Sequence, residues 1–230
     1  MNNICGRRGL RLAIGTLAVL VFCGVVLSQE KGENKGEGIG VDLIASPVTT
    51  ELITPPVGNS AFLVGHARGT QGYVCLPDGA GGASWTIANA RPEATLFANI
   101  FGEAVQIITH FLSPVENPNK IGPNPPRFGD ATWQSSFDSS RVWAQKEHFI
   151  AAGTDTSCPH AGSIDCLLLQ VIGAAAGPTG GKSLTKTTYI QRLNTQGGSA
   201  PLTGCTVVGD VGKQALIGYS ADYYFFRRDE

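Results

Sequence analysis

Ten short runs rich in β-branched and aromatic residues recur about every ten residues along most of this chain. They are AFLVGHA (61–67), QGYVCL (71–76), SWTIA (84–88), ATLFA (94–98), VQIITHFL (105–112), ATWQS (131–135), RVWAQKEHFI (141–150), CLLLQVIG (166–173), LTKTTYIQRL (184–193) and QALIGYSADYYFFR (214–227). Such runs favour strands, and turn signals separate them. The 30 glycines and 13 prolines supply those turns, and SFDSSRV reads as a hairpin turn. No segment sustains a helical period, although 101–109 could take one helical turn. The pattern predicts an all-β fold, a single antiparallel β-sandwich or barrel of about ten strands with little helix.

The N-terminus sets the compartment. Arg7, Arg8 and Arg11 precede the sixteen-residue apolar run LAIGTLAVLVFCGVVL, and Val26 and Ser28 stand at −3 and −1 before Gln29. This is the pattern of a signal peptide over 1–28, and the run is shorter than the roughly 20 residues a membrane span needs. A charged, glycine-rich spacer with an entry segment occupies 29–58, and a β-rich domain 59–230. SPVENPNKIGPNPPRFGD (113–130) reads as a long surface loop. The expected product is secreted or periplasmic, with no membrane span after cleavage.

Cleavage removes Cys5 and Cys23 and leaves Cys75, Cys158, Cys166 and Cys205, an even set in an exported chain. Three pairings are open. Cys158 with Cys166 is favoured because it closes the short loop SCPHAGSIDC, which leaves Cys75 with Cys205. A metal site at Cys158, His160 and Cys166 lacks both zinc spacing and a fourth ligand, so no metal is expected. The 17 basic and 18 acidic residues form no basic block, and nucleic acid is not an expected partner.

Familiar catalytic signatures fail on inspection. LLLQVIGAAAGPTGGKS resembles a P-loop, but Ala176 stands where glycine is required, and a strand-like LTKTTYI follows where a helix should begin. There is no G-x-G-x-x-G and no G-x-S-x-G, so no cofactor is expected. His66 and His110 lie inside apolar runs, which favours buried or half-buried structural roles. A weaker reading makes them the catalytic pair of a hydrolase or lyase, with a carboxylate such as Asp130 or Glu93. Trp133 and Tyr189 are candidates for stacking on a sugar, or for the core. On a strand, Arg192 points with Thr188 and Ile190, away from Tyr189, Gln191 and Leu193. Arg192 is expected to pair with a carboxylate or with carbonyls of the following loop. Alternatively, Gln191 and Arg192 line a pocket for an anionic or sugar ligand. The leading reading is a non-catalytic module, structural or binding a small molecule or glycan.

HARGTQGYVC, SWTIANARPEATLF, THFLSP, GDATWQSSFDSSRVWA, LLLQVIG, TTYIQRLNTQGGSAPLTGC and YSADYYFFR occur in that order. Together they resemble the exported domain-of-unknown-function family 3455 of bacteria and fungi, over about 60–228. The resemblance implies an exported domain without an established activity. Cys75 and Cys205 stand where the family has cysteines, which supports pairing them. The proline-rich insert near 114–127 and the Cys158–Cys166 loop depart from the family pattern.

Overall fold

The computed structural model describes residues 44–87, 93–113 and 130–230. The expected signal peptide, most of the expected spacer and most of the 113–130 loop lie outside the described residues. Nine strands follow in order: β1 (Asn59–Pro77), β2 (Ala83–Thr86), β3 (Glu93–Ile100), β4 (Glu103–Leu112), β5 (Ala131–Ser135), β6 (Arg141–Ile150), β7 (Cys166–Ala175), β8 (Thr187–Gly197) and β9 (Gln214–Arg228). The helical content among the described residues is two 3-10 turns, Glu51–Ile53 and Val208–Asp210.

Every strand pairs antiparallel with its neighbour, and β1 pairs with both β3 and β9. That double pairing closes a ring of eight strands, with β2 added beside the far end of β1. The ring is not a regular barrel. It excludes two stacked sheets, because no pair of edges is left open between β1 and β9.

Two expectations need correction. The runs 61–67 and 71–76 are one strand, which brings the count to nine. Gly69 and Thr70 are not a turn but a close crossing. A Cβ on Gly69 would lie 2.0 Å from the Glu93 carbonyl oxygen and 2.6 Å from Ala94 Cα. The stretch 101–109 has no helical turn. Phe101 (φ 54°) and Gly102 (φ 87°) form the tight β3–β4 hairpin, and Asn99 Oδ1 accepts the Gly102 N–H at 2.9 Å.

Alternation sorts the side chains into an interior and an outer face. Ala67, Leu96, Ile108, Trp133, Val142, Ile190, Tyr223 and Phe225 point inward and form the main core. A second cluster lies on the outer face, where Ile53 of the first 3-10 turn covers Leu168, Leu193 and the Cys158–Cys166 bridge. The sequence alternation placed Tyr224 opposite Tyr223; Tyr224 packs against this second cluster, so β9 is covered on both faces.

Both bridges close, Cys75–Cys205 with Cα atoms 5.6 Å apart and Cys158–Cys166 with 5.8 Å. The segments they tie lie at the end of β1, before β7 and before β9. In an antiparallel ring these positions share one rim.

Candidate functional site

Inside the ring, toward that rim, His110 stacks on Trp133 with ring centroids 4.1 Å apart and planes 9° from parallel. Tyr223 tilts against both rings, and its hydroxyl lies 3.1 Å from that of Tyr219. His110 Nδ1 lies 2.9 Å from the Thr132 carbonyl, which can only accept, so Nδ1 carries the proton. Burial is the main force pushing the His110 pKa down to about 4, opposed by the Thr132 carbonyl and aided by the Arg192 charge. The imidazole is therefore neutral at physiological pH. Burial, joined by the neighbouring Tyr223, pushes the Tyr219 hydroxyl far up. His110 is 4% exposed and Trp133 1%, so the stack is packed core.

Arg192 points into the same interior. Its Nε and Nη2 donate to one acceptor, the Asp165 carbonyl, at 3.1 and 2.8 Å. That carbonyl precedes β7, whereas the expectation had placed it in the loop after β8. Gln191 faces the other way. It is fully buried, and its Nε2 donates to the Ile53 carbonyl at 2.5 Å and to Thr49 Oγ1 at 3.3 Å. Gln191 thus ties down the entry segment, and it shares no pocket with Arg192.

His66 is not buried. Ala67 takes the interior position, and the His66 side chain is 60% exposed on the outer face. Its Nδ1 lies 2.6 Å from Asp222 Oδ1, and Asn194 Nδ2 donates to Asp222 Oδ2 at 2.7 Å. His66 pairs with Phe97 and Ala67 with Leu96, while His110 pairs with Ala94 on the inner side. The two histidines therefore stand on opposite faces of the sheet. Asp130 lies just before β5, where its carbonyl accepts from Ser113 N–H and Thr132 Oγ1.

Clefts open on the surface among the described residues. In one, of ≈ 500 Å³, Tyr189 stands with Asn59, Gln170, Thr188 and Arg228. It exists because β7 and β8 pair only over Leu167–Gln170 and Tyr189–Arg192, although β7 runs on to Ala175. Another, of ≈ 480 Å³, crosses β1, β3 and β4, and its outward side chains are Arg68, Thr70, Glu93, Thr95, Thr109 and Phe111. The cleft residues Asn59, Gln170 and Arg228 were not singled out as a site in the sequence. Alternation shows Asp222 facing away from Tyr223, but only the β1–β9 register shows that it meets His66.

A closed antiparallel ring braced at one rim by two disulfides defines the class of domain. The chain belongs to the family described as proteins of unknown function, DUF3455, whose model matches residues 56–227. No curated protein and no solved structure matches it.

Proposed function

We propose that this protein is an exported, disulfide-braced module that binds a small polar molecule or a glycan unit in the cleft between β7 and β8. The observation that carries this reading is the early end of the β7–β8 ladder, which opens a ≈ 500 Å³ space beside a half-buried Tyr189. An aromatic face can meet the C–H side of a sugar, and the planar polar groups of Asn59, Gln170 and Arg228 can exchange paired hydrogen bonds with hydroxyls. In the interior, His110, Trp133 and Tyr223 are buried against one another. The signal-like N-terminus and the two bridges support export.

A panel of mono- and disaccharides titrated into isotopically labelled protein tests this reading. Shifts are expected at the amides of 170–171 and 187–189. Tyr189→Ala should weaken binding about tenfold or more; it also removes packing against the outer cluster and lowers the melting temperature, so Tyr189→Leu, which keeps an apolar side chain there, separates lost binding from lost stability. Unchanged affinity in Tyr189→Ala, or no shifts with any sugar, would exclude the glycan reading.

A further inference from the structure

A second feature on the outer face is independent of the Tyr189 cleft. We infer that His66, held by Asp222 and Asn194, is a general base serving the cleft over β1, β3 and β4, and that the substrate class is a small ester attacked by water.

Orientation is the first reason. A carboxylate only accepts, so at 2.6 Å the His66 Nδ1 carries the hydrogen that the pair shares, and Nε2 is the nitrogen left to act as the base. Asp222 is fixed in turn, since its other oxygen accepts from Asn194. Asn194 takes a left-handed backbone (φ 51°) where β8 bulges against β9 between Leu193 and Gln196, and the bulge aims its amide at Asp222. Three strands, β1, β8 and β9, each contribute one member to hold an imidazole whose side chain remains 60% exposed. A base oriented by a third group is the arrangement nucleophilic and hydrolytic sites use.

Position is the second reason. Residues 66, 68 and 70 share the outward face of β1, so His66 stands about 7 Å along the strand from Arg68, the nearest wall of the cleft. The groups facing His66 are Asp222 from β9, Asn194 by way of Asp222 from β8, Phe97 from β3 and Arg68 along β1. Arg68 is the one cation in that set, and it can meet the negative charge that develops on an attacked carbonyl oxygen.

The step balances with water alone. His66 Nε2 takes a proton from water as the water oxygen bonds to the carbonyl carbon. The resulting oxyanion lies against Arg68. The ester C–O bond then breaks, and the departing oxygen takes the proton back from Nε2, giving a carboxylic acid and an alcohol. His110 has no part in this, because it is on the other face.

The test uses the full chain and p-nitrophenyl acetate, reading kcat and KM separately. His66→Ala should lower kcat/KM about 100-fold, the size of a general-base contribution, and added 4-methylimidazole should restore part of it. Asp222→Asn should lower kcat by about tenfold or more with KM unchanged, since the ring loses the partner that sets its tautomer. Thr109→Trp, which fills the cleft without touching the pair, should raise KM. Melting temperatures verify that each variant is folded, and His66→Gln provides a second removal of the base. Equal rates for the parent and both His66 variants would overturn the proposal, as would an Asp222→Asn variant with parental kcat.

Discussion

Asp138 occupies the place in the GPTGGKS loop that a phosphate takes in a P-loop. Its Oδ2 accepts from the Ser183 N–H at 2.9 Å and the Ser183 hydroxyl at 2.7 Å, and its Oδ1 from the Ser140 N–H and hydroxyl at 3.0 and 2.7 Å. The glycines let the loop close on Asp138, Gly177 against its main chain and Gly181 against its side chain. A Cβ at Gly177 would lie 1.7 Å from the Asp138 carbonyl oxygen, and one at Gly181 2.4 Å from Asp138 Cβ. Burial alone would raise the Asp138 pKa, but the hydrogen bonds from Ser183 and Ser140 outweigh it and hold the carboxyl well below the usual range. A depressed folded pKa gives stability that is present above the unfolded value near 3.9 and is lost as pH falls through the folded value. Asp138→Asn should therefore cost about 2 kcal/mol at pH 7. At about 2–4 °C per kcal/mol that is a 4–8 °C lower melting temperature. The gap to the parent should close progressively below about pH 4, because only the parent has this charge to lose. Thermal melts from pH 7 to pH 2 check both the size and the closing.

At the scale of elements, β8 shows what alternation makes legible and where it stops. TTYIQRLNTQGG separates Arg192 from Gln191 by period two, and the structure keeps them on opposite faces. The partners were not legible. Gln191 meets Ile53 of the entry segment across 138 residues, and Arg192 meets Asp165 across 27 residues, where β7 and β8 pair. Strands β5 and β6 match the expected 131–135 and 141–150, because turn residues bracket them. The sequence reads β1 as two runs because a glycine inside a strand signals a turn unless the neighbouring backbone it admits is known. His66 was misplaced for a related reason: in FLVGHA both faces are apolar, so the pattern does not show which residue points inward. Arg192→Ala tests the β8 contact directly. The Asp165 carbonyl loses both donors, and a cost of about 1.5–3 kcal/mol follows for a charged hydrogen bond. Urea melts should show that loss. A midpoint unchanged from the parent would mean that the rim before β7 is held by other contacts.

On the scale of the whole molecule, the ring depends on β1 pairing with β9 across the length of the domain, in a register running from Asn59–Arg228 to Val74–Gln214. The chain must bring its two ends together before either strand has a partner, and loop closure on that scale is entropically costly. Cys75–Cys205 spans 130 residues and fastens the far end of this ladder, where the Cys75 N–H also donates to the Lys213 carbonyl at 2.8 Å. Cys158–Cys166 spans eight residues and fastens a local loop over the outer cluster. If chain entropy governs, the first bridge is worth about 5 kcal/mol and the second about 2.6 kcal/mol. The paired variants Cys75→Ala with Cys205→Ala, and Cys158→Ala with Cys166→Ala, separate the two by denaturant unfolding. The long-range pair should lose about twice as much stability. It should also fold more slowly, because β1 must find β9 without a covalent guide once the bridge is gone. The reverse order would place the decisive constraint in the packing of Leu168, Leu193 and Ile53 around the short bridge, and would make the outer cluster, not ring closure, the step that commits this chain to its fold.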